Sequence, residues 1–195
     1  MTTVAENKLQ VYYNQLFEKK IIDLFNENEK KVLKTLAVTS NEFSINIDKI
    51  IESLDIKIIE ESMENDCSGR IDIAKKEMYI NENHSENRKR FTKAHELAHY
   101  LYKHDGANHR TQDVSSYTNV NDFENERVAN TVAADILMPR MQVEALYEVF
   151  ISNNNLDVQS PLNSSQKDEL YNFMSDKLCV SKSAVSYRLL NLGIL

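Results

Sequence analysis

The segment RFTKAHELAHYL, residues 90–101, constrains the fold more than any other stretch of the chain. Stepped at about 100° per residue, it separates into two unlike faces. With His95 at zero, His99 lies at about 40° and Glu96 at about 100°. Ala94, Leu97, Ala98 and Leu101 fall between about 200° and 300°. A helix with this pattern packs its alanine and leucine side into a core. Its other side carries two imidazoles and a carboxylate.

The rest of the chain also reads as mainly helical. It has only three glycines and two prolines in 195 residues, so helix breakers are few. Residues 5–36 show helical spacing of Leu9, Tyr12, Tyr13, Leu16, Phe17, Ile21, Leu24 and Phe25, with NENEKK as a break between two helices. TSNEFSIN is loop-like, and a short helix follows with Ile47, Ile50, Ile51 and Leu54 on one face. DIKIIEE reads as a strand, and NDCSGR as a turn in which Gly69 is free to take a positive φ. RIDIA and EMYIN read as a hairpin or two short strands. Residues 103–122 are polar and aperiodic, a loop of functional length. A helix over about 123–138 stops at Pro139, another begins at Met141, and two more cover about 166–178 and 182–191.

The net charge of −7 argues against nucleic acid as the main partner, because phosphate contacts call for a basic surface. Cys67 and Cys179 stand far apart and in no CxxC pattern, which fits a reducing compartment and no disulfide framework. MTTVAENKLQ has no apolar run behind a basic flank, and no stretch has the length of a membrane span. A cytoplasmic protein with no membrane partner is expected. Oligomeric state leaves no trace in the sequence.

Histidines four apart on one helix face can bind the same tetrahedral zinc ion, each through one ring nitrogen. Glu96 is poorly placed as a third ligand and well placed to take a proton from a water activated by the metal. HExxH is a short pattern that also arises by chance, so a third ligand on a second helix matters. ENERVANTVAADILMP, residues 124–139, offers one. Val128, Ala129, Val132 and Ile136 form its apolar face, and Glu126 and Asn130 lie together on another. Glu126 would complete a two-histidine, one-glutamate set, while Asn130 could accept a hydrogen bond from a ligand histidine. Glu124 and Asp122 compete with Glu126 for the role. One Zn2+ per chain is the expected cofactor, and the same ligands admit Mn2+ or Fe2+.

SGRIDI, MYIN and RKRFTKAHELAHYL, followed by ERVANTVAADILMP and the tail VSKSAVSYRLLNLGIL, resemble the ImmA/IrrE family of zinc metallopeptidase-like proteins. The resemblance covers residues 46–195. It implies an α+β, mainly helical zincin-like fold with a small N-terminal antiparallel or mixed sheet and a C-terminal helical subdomain. It also implies His95, His99 and Glu126 as ligands and Glu96 as general base. Residues 1–45 would form a helical extension, 46–150 the metallopeptidase core, and 151–195 a helical, helix-turn-helix-like subdomain. Ala98, Val128 and Val132 depart from the family's usual residues at positions that concern packing.

The resemblance further implies an endopeptidase that cuts a specific protein, a helix-turn-helix repressor of a bacterial or mobile genetic element, so acting as an anti-repressor. EMYIN resembles the edge strand on which such enzymes lay their substrate. His104, His109 and Tyr117 are candidates for a donor to the oxyanion. In the tail, Val180, Val185, Leu189 and Leu192 would pack a recognition-like helix with Lys182, Tyr187 and Arg188 outward. The acidic total favours a subdomain that closes the core over a DNA reader. Two other readings stand beside the protease: a metal-containing regulator that binds its partner with little turnover, and a DNA-binding protein with a structural metal.

Overall fold

A computed structural model describes residues 10–64, 67–104 and 120–195, by backbone alone at 120–122. Within these residues the fold is α+β and mainly helical, as the sequence implies. The N-terminal stretch differs from the two helices expected there. Gln10–Tyr12 (β1) pairs antiparallel with Ala37–Thr39 (β2). Between them lie three short helices, Tyr13–Leu16 (α1), Lys19–Ile22 (α2) and Glu27–Leu33 (α3). The apolar residues still turn inward, with Tyr13, Leu16, Phe17, Ile21, Phe25 and Leu33 buried. NENEKK is where α3 starts. Asn26 accepts from the amides of Asn28 and Glu29, and the Glu29 carboxylate accepts from the Asn26 amide at 2.7 Å. This reciprocal cap satisfies amide donors that a helix start leaves open.

Ile47–Ser53 (α4) buries Ile47, Ile50 and Ile51. Lys57–Glu61 (β3), Gly69–Asp72 (β4) and Glu77–Asn81 (β5) form one mixed sheet in the order β3-β5-β4. β4 and β5 make the expected hairpin, with Gly69 opposite Ile80 and Asp72 opposite Glu77. β3 runs parallel to β5, from Lys57 opposite Glu77 to Glu61 opposite Asn81. EMYIN is therefore not an edge strand: it is central, paired on both sides, with Met78 and Ile80 fully buried. The reason is the parallel partner β3, a long-range neighbour that no local pattern reports. The antiparallel edge strand is β4, and among the described residues no strand pairs with its outer side.

Gly69 does not supply a positive φ. It supplies space. A Cβ there would stand 2.6 Å from Thr92 Cγ2 and 2.8 Å from the Tyr79 carbonyl oxygen. Thr92 belongs to Glu86–Tyr102 (α5), so the missing side chain lets β4 lie directly against that helix.

The remaining described helices are Val120–Leu137 (α6), Arg140–Asn153 (α7), Ser164–Leu178 (α8) and Lys182–Asn191 (α9). α6 stops before Pro139, which serves as the N-cap of α7. α5 and α6 pack along each other. Ala94, Leu97 and Ala98 of α5 and Ala129, Ala133 and Ile136 of α6 are fully buried. The alanines let the backbones approach, and burial of Leu97 and Ile136 contributes about 1.5–3 kcal/mol each.

In the tail, Val180, Val185 and Leu189 are buried and Leu192 is partly so. Lys182 and Tyr187 are exposed. Arg188, expected outward, is buried instead. Its Nη1 lies 2.6 Å from Asp135 Oδ1, and its Nε donates to the Met138 carbonyl at 2.9 Å. A cation at the C-terminal end of α6 meets carbonyls that have no partner within the helix. One hydrophobic core runs through the chain, from Tyr13 to Leu189. Among the described residues, no helix is long and apolar enough to cross a membrane.

Candidate metal centre

α5 brings His95 and His99 to one point, and α6 brings Glu126 to the same point. His95 Nε2 and His99 Nε2 are 3.0 Å apart. Glu126 places one carboxylate oxygen 3.1 Å from His95 Nε2 and the other 3.2 Å from His99 Nε2. All three residues are buried, as is Glu96 next to His95 on α5. The face that carries the imidazoles is thus no more exposed than the alanine face, because α6 covers it.

Asn130, one turn after Glu126, stands behind the first histidine. Its Oδ1 is 3.1 Å from His95 Nδ1. An amide oxygen can only accept, so Nδ1 carries the proton. In neutral His95 the other nitrogen, Nε2, is then a lone-pair donor that looks at His99 Nε2 and a carboxylate. Acceptors aimed at one another repel unless a cation lies between them. Their mutual spacing is close to the edge of a tetrahedron with bonds of about 2.0–2.1 Å, which is about 3.3 Å. By chemistry and spacing, the donor set fits a divalent metal ion.

Residues 51–190 match the model of the IrrE N-terminal-like domain, the M78 peptidases. The chain belongs to that family. No curated protein matches it. Membership supports a metallopeptidase type of function, and the buried His95, His99 and Glu126 group is compatible with the metal such a function needs.

In this M78 chain the competitors for the third position are elsewhere or outside the description. Glu124 is exposed and accepts from Arg127 Nε and Nη2 at 3.1 and 2.9 Å. The Asp122 side chain lies outside the described residues, as do His109 and Tyr117. His104 is described, and it does not stand as an independent donor. Its Nδ1 is 2.9 Å from His99 Nδ1, so it backs the second histidine as Asn130 backs the first. The cause is the end of α5. Lys103 takes a left-handed conformation at φ 53°, and the His104 amide donates back to the His99 carbonyl at 3.1 Å. That closing turn folds His104 onto His99. A glycine at position 103 would have advertised it; lysine hides it.

Burial pushes the Glu126 carboxyl up, but with protons rather than a metal ion on the two Nε2 atoms, hydrogen bonds and charge attraction from His95 and His99 outweigh it and hold its pKa at about 2. Burial, then the neighbouring His99, lowers the pKa of His104 against a smaller upward pull from Glu126. A neutral His104 can accept from His99 Nδ1–H and leave His99 Nε2 as a lone-pair donor.

Two clefts flank the group. One, of about 1180 Å3, is lined by Glu126 and Asn130 and by residues of α9. The other, of about 1120 Å3, is lined by His104 and by β4 and the turn after it, from Arg70 to Lys75. Ser68, just before β4, stands on the wall of the first cleft. The outer edge of β4 thus leads from one cleft to the other.

Proposed function

We propose that the chain is a zinc-dependent endopeptidase that hydrolyses a peptide bond in a specific protein, a helix-turn-helix repressor of a bacterial or mobile genetic element. The observation that carries this reading is the convergence of His95 Nε2, His99 Nε2 and Glu126 on one point between α5 and α6. Together with membership of the M78 peptidases, it supports hydrolysis over a purely structural metal. A Zn2+ held by these three residues supplies Lewis acidity toward a water and the scissile carbonyl. Mn2+ or Fe2+ also suits two imidazoles and a carboxylate.

The chain's own residues do the rest. Glu96 takes the proton of the attacking water and later delivers it to the leaving amine. Its burial beside His95 keeps bulk water from competing for that proton. Asn130 and His104 hold the two imidazoles in the orientation that leaves Nε2 as the donor. The substrate lies extended along the outer edge of β4, where main-chain pairing positions the scissile bond. β4 replaces EMYIN in this role because β5 has no edge to offer.

The test is incubation of zinc-loaded wild type and Glu96→Gln with a helix-turn-helix repressor encoded beside this chain. Defined fragments with wild type and none with Glu96→Gln are expected. Equal relief of repression by both proteins, without fragments, would instead make the chain a metal-containing binding regulator.

A further inference from the structure

The recognition-like tail has no part in the chemistry above, yet it forms one wall of the cleft beside Glu126. That wall is α9, through Ser183, Tyr187 and Asn191. Three side chains fasten α9 and the turn before it to the helices that carry the metal group. Asn87 Nδ2 donates to the Val180 carbonyl at 3.1 Å, and Arg90 Nε donates to the Cys179 carbonyl at 3.1 Å. Both donors belong to α5. Arg188 ties α9 to Asp135 and Met138 at the end of α6. A segment clamped at both ends moves with the metal group as one unit. Tyr187, at 69%, and Leu190, at 64%, nevertheless remain exposed.

The cleft has a length that can be compared with a peptide. Glu126 and Met138 both line it and lie on or just past α6, twelve residues apart. At a rise of about 1.5 Å per residue that is about 18 Å. An extended chain advances about 3.3 Å per residue, so about five residues fit alongside. Charge narrows the occupant. Five cations, among them Lys20, Arg88 and Arg127, line this edge of the cleft against three carboxylates, Glu18, Glu126 and Asp135. In a protein of net charge −7, this edge attracts neutral or acidic segments rather than basic ones.

We infer that α9 is a substrate-docking wall: an extended, neutral or acidic segment of the protein substrate, about five residues to one side of the scissile bond, lies between α6 and α9 with an apolar side chain against Tyr187. This rests on the endopeptidase reading and adds where selectivity for the substrate is set. The rigid aromatic ring offers contact area at low entropic cost. DNA is the competing occupant of α9. The burial of Arg188 removes the strongest phosphate or base contact that the tail would offer it.

The experiment uses binding, so that it does not depend on turnover. Zinc-loaded Glu96→Gln and Glu96→Gln/Tyr187→Ala are compared on a mixed-sequence array of peptides of about twelve residues. Bound peptides are then shortened from each end. Tyr187→Ala is expected to weaken the long peptides about tenfold. That loss should disappear once fewer than about five residues remain on one side of the core motif. Circular dichroism and zinc content should match between the two proteins, since Tyr187 is exposed. Equal binding with and without Tyr187, or no bound peptide, would overturn the inference. So would salt-dependent binding of a mixed-sequence DNA duplex that Tyr187→Ala abolishes. Incubating wild type with the bound peptides tests the other reading separately: peptides held through Tyr187 but never cut would overturn the endopeptidase and leave the docking wall standing.

Discussion

Asn130 accepts from His95 Nδ1 at 3.1 Å, and this contact decides which nitrogen of the imidazole faces the metal group. It reaches from α6 to α5, so it also ties the helix of Glu126 to the helix of the histidines. Asn130→Ala should lower metal affinity about 10–100-fold while the fold is kept. Competition against a chromogenic chelator measures it. Asn130→Asp restores an acceptor and should recover most of the loss.

Gly69 sets how closely the edge strand β4 approaches α5. Gly69→Ala forces a Cβ toward Thr92 and the Tyr79 carbonyl and should cost about 1–3 kcal/mol in urea unfolding. Thr92→Ser removes the nearer of the two obstacles, Cγ2, and should return part of that loss in the double variant. Strict additivity of the two changes would show that the contact is not the cause.

Arg188 and Asp135 form a buried pair with side chains only 6% and 5% exposed. Arg188→Met leaves Asp135 with Lys20 alone, at 2.7 Å. The expected loss is about 3–5 kcal/mol, since a buried charge loses its nearest partner. Adding Asp135→Leu should recover stability, because no buried carboxylate then remains at that place. Thermal and urea denaturation of the two variants give the comparison.

The acid limb of stability should report Glu126. Its pKa in the metal-free protein is about 2, against an ordinary value of 4.5. A carboxyl depressed on folding contributes stability above the unfolded pKa and loses it as pH falls toward the folded one. Wild type should therefore exceed Glu126→Gln in stability above about pH 4.5, and the gap should close between there and about pH 2. A gap that stays constant through this window would mean that the histidines do not hold Glu126 ionised.

The two helices at the centre were legible because each signal was local. Ala94, Leu97 and Ala98 repeat at helical spacing, and Glu126 and Asn130 lie one turn apart. Ala94, Leu97 and Ala98 are buried, and Glu126 and Asn130 both reach His95. What escaped was set by contacts distant in sequence or by backbone conformation. EMYIN reads as a strand, but its central place depends on β3, about twenty residues earlier. His104 sits behind His99 because Lys103 turns left-handed, and lysine gives no hint of that. Arg188 reads as outward on a recognition-like helix, but Asp135, far back on α6, draws it in. Of the apolar residues of the N-terminal stretch, Tyr13, Leu16, Phe17, Ile21 and Phe25 are buried, while Tyr12 is exposed. Their helices are shorter than the spacing implies because Asn26 caps a new start.

Metal content of wild type, Glu96→Gln and His99→Ala, purified side by side and measured by elemental analysis, tests the central claim most directly. Wild type and Glu96→Gln should each hold one zinc per chain, and His99→Ala should hold little or none while it remains folded by circular dichroism. Full zinc in His99→Ala, or its loss from Glu96→Gln, would contradict the assignment of His95, His99 and Glu126 as ligands and Glu96 as the base beside them.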